Sequence, residues 1–435
     1  MILIFCPRSN ATGGTELLHQ LGYKLNLLEY DARIYYYGDD CGLPATHPHF
    51  LKYGVPVVES VSDSRDNILI FPEMMVSSLE GIKGQLPLSK CVLWWLSVDN
   101  AGMTPDLVEE ISDDTTLIHF VQSYYAFEYV KQFLNVSDDR LYWLSDYLNY
   151  NFLNMENRTE RDDVVLFNPR KGFDRTAGLI QSSDHRVKWK ALAGLMPEHI
   201  PDELQRAKVY IDFGGHPGKD RFPREAVSCG CRIITGTKGA AANDHDIPIP
   251  RQLKVDDNLD NDSILGLIYS LLENYDKTGE LYADYNNKIH EEFHLFEADT
   301  LNVFTKITGK VPDGSDFGKE RLRAVILEAV TNEDYEKAFY YGTVYRIKEY
   351  GIDNDFIILE GYTRLGLGEP EVALYLMNKY LINYEQDYEA YLIKARAMIS
   401  LGLDGVGIVL DTAVRLSAGT EDEKYVSEAV QLLKG

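Results

Sequence analysis

The stretch of sequence that decides the fold is YIDFGGHPGKDRFPREAVSCGCRII, residues 210–234. An apolar run ends in a glycine-rich loop, and a helical pattern, a glycine turn and a second apolar run follow. This order predicts a strand, a helix and a parallel strand, with the loop at the strand end where ligands bind in open α/β sheets. Glu225 lies early on the predicted helix. Its carboxylate either accepts hydrogen bonds from ribose hydroxyls or only complements the helix dipole.

Short apolar runs alternate with amphipathic stretches through the first 309 residues, and a polar, linker-like segment at 149–163 divides them into two series. The predicted strands of the first series are 2–6, 32–37, 67–71, 91–98, 116–121 and 140–144, and those of the second are 164–167, 187–191, 208–213 and 232–235. Strands that alternate with helices predict parallel sheets covered on both faces. Two such halves leave a cleft between them.

The sequence after Gly309 changes character, because strand patterns disappear and helical patterns remain. Residues 365–370 (LGLGEP) resemble residues 401–406 (LGLDGV) at an offset of 36, and residues 332–338 precede 368–373 by about 35. Helical pairs that repeat at about 34 residues resemble tetratricopeptide-type repeats, which stack to bury their apolar faces. We therefore expect three domains, at residues 1–155, 156–309 and 317–435, the last with a surface for a protein partner.

Composition and charge limit the classes of function. Hydrophobic residues make up 45% of the chain and charged residues 26%, as in ordinary globular proteins. The formal net charge of −25 repels a phosphate backbone, so nucleic acid is not an expected partner. The chain has no apolar run of about 18 residues, and its apolar start at residues 2–6 is too short for a signal sequence. We expect no transmembrane segment and a cytoplasmic protein.

Five cysteines are scattered through the chain: Cys6, Cys41, Cys91, Cys229 and Cys231. An odd number without regular spacing favours reduced thiols over a disulfide framework. Cys229 and Cys231 form a cluster, but no further ligands lie nearby at metal-binding spacing, so buried structural thiols are favoured. We expect no metal at these cysteines.

Two further loops follow predicted strands. Residues 7–16, PRSNATGGTE, open a helix, and their glycines let backbone amides with partial positive charge approach a ligand. Residues 168–172, NPRKG, place Arg170 and Lys171 at a strand end, where two cations can neutralise a departing diphosphate. Without a ligand, residues 7–16 would form only a tight turn from strand to helix, and residues 168–172 would form only a solvated basic turn.

The first half also has candidates for contact with a ligand. Trp94, Trp95 and Asp99 end a predicted strand, where aromatic rings and a carboxylate can contact a ligand. The tryptophans are equally suited to the core. His119 and Gln122 lie beside the next strand end, with the same two alternatives.

These motifs resemble the retaining GT-B glycosyltransferases of family 4 over about residues 1–308. Gly13-Gly14-Thr15-Glu16 matches the family's Gly-Gly-x-Glu loop, and Arg170 with Lys171 matches its basic residue after the first strand of the second domain. Residues 225–234, EAVSCGCRII, match its Glu-Ala-x-x-x-Gly-x-x-Val-Ile segment. The resemblance implies an α/β fold with two Rossmann-like domains facing each other across a cleft, followed here by the α-helical repeat domain.

The resemblance also implies a reaction and a set of site residues. A sugar passes from a nucleotide-sugar donor to a glycan or protein acceptor in the synthesis of a cell-surface polysaccharide or glycoconjugate. The anomeric configuration is retained, no metal is obligatory, and no cofactor is needed because the nucleotide-sugar is itself the substrate. The expected catalytic residues are Arg170, Lys171 and His216. The expected donor-binding residues are Gly14, Gly215, Lys219, Arg221 and Glu225, and the expected acceptor-binding residues are Trp95 and Asp99.

The chain departs from the family at one position of the donor motif. Many relatives carry a second glutamate eight residues before the position of Glu225, where this chain has Pro217. His216 or the backbone amides of residues 215–219 are the expected substitutes. The lost carboxylate also leaves open an inactive GT-B scaffold that binds a protein partner. A GT-B phosphorylase or epimerase is a third alternative, because it shares the architecture.

Overall fold

The computed structural model describes residues 1–39, 42–153, 160–185, 187–196 and 199–434. Cys41 and part of the predicted linker, residues 154–159, lie outside the described residues. The chain divides into two compact units. The first comprises Met1–Asn26, Tyr30–Leu148 and Met155–Val303, and the second comprises Leu27–Glu29, Asn149–Asn154 and Phe304–Gly435.

The first unit contains a parallel sheet with seven strands among the described residues, in the order β3-β2-β1-β4-β5-β6-β7. The strands are β1 (Ile2–Pro7), β2 (Ala32–Tyr37), β3 (Val57–Val58), β4 (Ile68–Pro72), β5 (Lys90–Trp95), β6 (Ile118–Val121) and β7 (Leu141–Trp143). The helices between them are α1 (Gly13–Leu27), α2 (Leu79–Gln85), α3 (Pro105–Asp113) and α4 (Tyr124–Gln132). Every residue of the central strand β4 is buried, because helices cover both faces of a parallel sheet.

The same unit contains a second parallel sheet, with four described strands in the order β11-β10-β8-β9. The strands are β8 (Asp162–Phe167), β9 (Lys188–Ala191), β10 (Ala207–Asp212) and β11 (Arg232–Thr235). The helices are α5 (Phe173–Ser182), α6 (Ile200–Arg206), α7 (Arg221–Ser228), α8 (Asn261–Glu273) and α9 (Ala283–Thr308), of which α9 belongs to this unit up to Val303. Two parallel sheets with helices confirm the predicted α/β fold class.

The described cysteines, Cys6, Cys91, Cys229 and Cys231, are free and buried. Burial raises the pKa of Cys231 to about 12, and its thiol donates a hydrogen bond to Leu204 O at 2.9 Å. These are the properties of inert structural thiols, which the sequence predicts.

The second unit carries seven described helices after residue 318. They are α10 (Lys319–Thr331), α11 (Tyr335–Ile347), α12 (Asn354–Gly366), α13 (Pro370–Leu381), α14 (Tyr388–Ser400), α15 (Val406–Ser417) and α16 (Glu423–Lys434). Helices α10, α12, α14 and α16 begin at residues 319, 354, 388 and 423, so alternate helices start 34 or 35 residues apart. The predicted helical region is confirmed, whereas its assignment to tetratricopeptide-type repeats stays a prediction. In the described chain, no helix has both the length and the apolar character that a bilayer crossing requires.

Candidate functional site

The loops after β8 and β10 lie against each other at the carboxyl ends of these neighbouring strands. Gly172 has a φ of +58°, and a Cβ there would overlap the backbone of Phe213. A Cβ on Gly214 would overlap the side chain of Lys171. Asp212 Oδ1 accepts a hydrogen bond from Gly214 N at 3.1 Å. Because both glycines allow this close packing, the chain brings Lys171 to the start of α7.

Lys171, His216 and Asp220 form a charged cluster at this edge of the sheet. The Lys171 ammonium contacts the Asp220 carboxylate and donates to Gly215 O at 3.3 Å. His216 Nδ1 lies 2.9 Å from Asp220 Oδ2. Burial on its own would raise the pKa of Asp220, but hydrogen bonding to His216 and the charge of Lys171 hold this pKa below its usual value. Asp220 is therefore kept as a carboxylate beside Lys171.

His216 and Arg170, both predicted to be catalytic, lie in opposite environments. His216 has no exposed surface, and its Nε2 lies 3.7 Å from Asp212 Oδ1, so the ring is enclosed between two carboxylates. This burial corrects the prediction that His216 acts on a substrate. Arg170 is exposed, and its backbone N–H donates to Asn168 Oδ1 at 3.0 Å. Arg170 stays a candidate for contact with a phosphate.

A second group of charges is buried between the two halves of the unit. The Arg224 guanidinium has no exposed surface and lies 2.5 Å from Asp146 Oδ2 and 2.7 Å from Glu292 Oε2. Lys219 Nζ lies 2.7 Å from Glu292 Oε1 and 3.4 Å from Asp146 Oδ1. Asp146 follows β7 of the first sheet, whereas Arg224 lies on α7 beside the second. We call these four residues, Asp146, Lys219, Arg224 and Glu292, the buried network.

Lys219 belongs to this network and not to an open surface. Besides its ion pairs with two carboxylates, its ammonium donates to Ser145 Oγ at 2.9 Å, so three oxygens lie within 3.4 Å of it. Lys219 is thus an internal partner, contrary to the prediction that it binds the donor. Burial disfavours the charge of Asp146, yet Arg224 and Lys219 hold the pKa of Asp146 below its usual value.

The glycine loop after β1 meets α7 of the second half. Thr12 N donates to Thr15 Oγ1 at 2.8 Å and Thr15 N donates to Thr12 Oγ1 at 3.2 Å, which fixes the start of α1. Glu16, in the first turn of this helix, contacts the Arg221 guanidinium. A Cβ on Gly13 would stand 3.0 Å from the Arg221 side chain. The side chain of Arg221 therefore reaches from the second half of the unit to the first.

The backbones of the two halves touch beside this loop. Val98 N donates to Pro217 O at 2.7 Å. A Cβ on Gly218 would overlap Leu96 O, so this approach requires glycine. Gly14 also faces Leu96, because a Cβ on Gly14 would stand 3.6 Å from the Leu96 side chain. Gly14, which is predicted to bind the donor, thus lies where the halves meet.

Glu73 is a buried carboxylate that follows β4. Only 3% of its surface is exposed, and its Oε2 accepts a hydrogen bond from Leu96 N at 3.1 Å. Burial raises the pKa of Glu73 to about 7, although bonds from the backbone amides of Leu96 and Ser97 oppose this rise. Glu73 therefore anchors the loop that contacts Pro217.

The two predicted acceptor residues lie in different environments. Trp95 has no exposed surface, packs in the core and donates from Nε1 to His119 Nδ1 at 3.1 Å. Strand β5 is covered on both faces, so its two tryptophans are core residues, and the prediction that Trp95 stacks on a sugar is wrong. Asp99 is exposed and accepts a hydrogen bond from Tyr125 OH at 2.9 Å. Asp99 stays a candidate for contact with an acceptor.

Glu225 is a half-buried carboxylate on α7. It lies four residues after Arg221, so the two side chains share one face of the helix. Burial raises the pKa of Glu225 to about 7, and the charges of Arg221 and Arg224 oppose this rise. Within the described residues, no hydrogen bond joins the Glu225 carboxylate to another group. Its oxygens are therefore free to accept hydrogen bonds from a ligand.

Comparison with known proteins identifies the fold that holds these residues. No protein-family model and no curated protein sequence matches the chain. Its structure is similar to that of a glycosyltransferase from Rickettsia africae ESF-5, with a TM-score of 0.54 at 11% identity over 71% of this chain and 99% of that one. Against the sucrose-phosphate synthase of Thermosynechococcus elongatus, the TM-score is 0.51 at 12% identity over 71% and 98% of the two chains. The chain has the GT-B fold.

In this GT-B chain, the loops after β1, β5, β8 and β10 meet at the carboxyl ends of both sheets, which is where open α/β sheets bind ligands. Gly215, predicted to bind the donor, is exposed beside Lys171. Glu225 adds a free carboxylate on α7, four residues from Arg221. The site thus combines accessible backbone, a reachable cation and an unsatisfied carboxylate. We call three partly exposed residues on these elements, Lys171, Asp220 and Glu225, the open cluster.

Sequence reasoning missed the roles of Asp146, Asp220 and Glu292. Asp220 carries a local signal, since an aspartate before a helix is a typical N-cap. Its side chain nevertheless accepts no hydrogen bond from the start of α7. Asp146 and Glu292 carry no local signal, because they lie 78 and 68 residues from Arg224 along the chain.

Proposed function

We propose that this chain is a glycosyltransferase that moves a sugar from a nucleotide-sugar donor to a glycan or protein acceptor. One observation carries the proposal: Glu225, with free carboxylate oxygens, lies one helical turn from Arg221 in a chain with the GT-B fold. An unsatisfied carboxylate near cations suits a ligand that has both ribose hydroxyls and a diphosphate. The similarity in fold to the Rickettsia glycosyltransferase supports this proposal.

Each accessible residue has one task in this proposal. Glu225 accepts hydrogen bonds from two ribose hydroxyls. Lys171, with Arg170 beside it, neutralises the diphosphate as its bond to the sugar breaks. The backbone at Gly14 and Gly215 approaches the donor closely, because neither residue has a side chain.

The finer features of the reaction follow from the resemblance to family 4. We propose that the anomeric configuration is retained and that no metal is obligatory, since Lys171 and Arg170 supply the positive charge that a leaving diphosphate needs. Asp99 is the proposed contact to an acceptor hydroxyl. The acceptor is proposed to belong to a cell-surface polysaccharide or glycoconjugate, and helices α10–α16 to bind that acceptor or a protein partner as tetratricopeptide-type repeats do.

A thermal-shift experiment tests the donor site. The whole chain is melted with UDP, GDP and dTDP and with their sugars, and we expect one nucleotide series to raise the melting temperature, because a ligand that binds the folded state stabilises it. Glu225→Ala should abolish the shift. Glu273→Ala, at the exposed end of α8, is the matched control and should retain it.

The outcome separates the alternatives. If no nucleotide stabilises the wild type, the proposal fails and a scaffold without catalytic activity is favoured. If a nucleotide binds, incubation with its sugar derivative and analysis by mass spectrometry identify the reaction. Release of the nucleoside diphosphate with the sugar on an acceptor supports the glycosyltransferase and excludes a phosphorylase or epimerase.

A further inference from the structure

Two ion pairs of the site differ in how far solvent reaches them. The side chains of Arg224 and Asp146 are 0% and 1% exposed, whereas those of Lys171 and Asp220 are 29% and 20% exposed. A soluble anion can therefore reach the Lys171 ammonium without disturbing the packing of the loop. It cannot reach Arg224 in the same way.

Asp220 is turned towards Lys171 although it precedes a helix. An aspartate at this position usually accepts hydrogen bonds from the first amides of the helix, but Asp220 accepts none. Its Oδ2 instead faces both the Lys171 ammonium and His216 Nδ1. His216 is fully buried and its Nδ1 lies 2.9 Å from Asp220 Oδ2, so Asp220 keeps this neighbour when Lys171 turns to another anion.

We propose that Asp220 competes with the nucleoside diphosphate for Lys171 and so lowers the affinity for this product. The inference rests on the proposed function, because it assigns Lys171 to the diphosphate. As the diphosphate leaves, Asp220 takes over the ammonium, and the cation is never left unpaired. Asp220 is a positioning residue that acts through Lys171. Asp220 is the single acidic residue of residues 213–220.

The first measurement is the affinity of UDP, GDP and dTDP for the whole chain and for Asp220→Asn, by calorimetry. Asparagine keeps the shape of the side chain and an oxygen that can face His216, but it has no charge. The nucleotide that binds the wild type should bind the variant roughly three- to tenfold more tightly, as expected when one of two competing anions is removed from a partly exposed site.

Asp163→Asn is the matched control for this change. Asp163 pairs with Lys208 at 2.6 Å in the same sheet, near the amino end of β8 and so at the opposite end from Lys171. The substitution removes the same charge from an ion pair, and it should leave nucleotide affinity unchanged. A gain in Asp163→Asn equal to that in Asp220→Asn would overturn the inference, because the effect would then belong to net charge alone.

Lys171→Met completes a double-mutant cycle. This variant should bind the nucleotide more weakly, and Asp220→Asn should gain less affinity in the Lys171→Met background than in the wild type. A merely structural role for Asp220 predicts the same change in both backgrounds. Asp220→Ser, which also suits the start of a helix, replaces the asparagine variant if its melting temperature shows that it does not fold.

The result also distinguishes two kinds of failure. If the wild type binds a nucleotide and the folded Asp220 variants bind it equally or more weakly, the inference is wrong and the proposed function stands. If the wild type binds no nucleotide, the proposed function itself is wrong.

Discussion

The buried network and the open cluster share one loop and one helix, yet they differ in what they leave unpaired. In the buried network each cation contacts both carboxylates, so charge is balanced inside the protein. In the open cluster, Lys171 and Asp220 are partly exposed, and Glu225 has no hydrogen-bond partner among the described residues. Charges that are paired with one another hold the two halves together, whereas a carboxylate without a hydrogen-bond partner is suited to a ligand.

The pKa values express the same difference. Burial is the largest influence on Asp146 and on Glu225, and it raises the pKa of both. Arg224 and Lys219 contact Asp146 directly and reverse this effect, so the pKa of Asp146 lies below its usual value. Glu225 has only distant charges to oppose burial, and its pKa rises to about 7.

Asp146→Asn should have the largest effect, because it breaks the buried network. Arg224 and Lys219 would share Glu292 alone, which leaves uncompensated charge in the interior, so we expect the free energy of unfolding to fall by about 3–5 kcal/mol. Urea denaturation followed by circular dichroism measures it. Asp163→Asn breaks an ion pair whose two side chains are 22% and 59% exposed and should cost at most about 1 kcal/mol. Equal losses of unfolding free energy in the two variants would contradict the distinction between buried and exposed ion pairs.

Glu225→Gln should have the next largest effect and should act on nucleotide binding. We expect about ten- to thirtyfold weaker binding at pH 8, because hydrogen bonds to a charged group are the stronger ones. Glu225 is ionised above a pH of about 7, so the ratio of wild-type to variant affinity should shrink as the pH falls from 8 to 6. Titration of the nucleotide phosphate changes both affinities equally, so it does not change their ratio. A ratio independent of pH would show that the charge of Glu225 does not bind the ligand.

Much of the fold could be predicted because its signals are local. Strands β2 and β11 begin and end where the apolar runs do, since a few consecutive residues carry the signal: alternating burial in β2 and successive buried residues in β11. The edge strand β3 has only two residues, too few to show a period. Helix α9 is likewise local in origin, because Ile289, Phe293 and Phe296 are buried at helical spacing.

The site could be predicted only where local sequence determines it. Lys171 lies just after the end of β8 and Glu225 lies on α7, and the sequence pattern shows both positions. The partners of Arg224 could not be predicted, because they depend on how distant segments pack. Trp95 shows the same limit: its place at a strand end is visible in the sequence, but the layers that cover both faces of β5 are not.

Glu73→Gln should have the smallest effect, and it shows what burial does to a carboxylate without a cationic partner. The pKa of Glu73 rises from 4.5 in the unfolded chain to about 7 in the folded chain. The protonated carboxyl therefore contributes its full stabilisation below pH 4.5, and this stabilisation is lost as the pH rises through 7. Glutamine keeps an oxygen for Leu96 N but buries an unpaired amide, which offsets part of the gain. We expect the variant to be more stable by about 1 kcal/mol at pH 8 and no more stable at pH 5. Urea denaturation at both pH values measures this difference, and a gain of the same size at pH 5 would mean that the charge of Glu73 is not its cause.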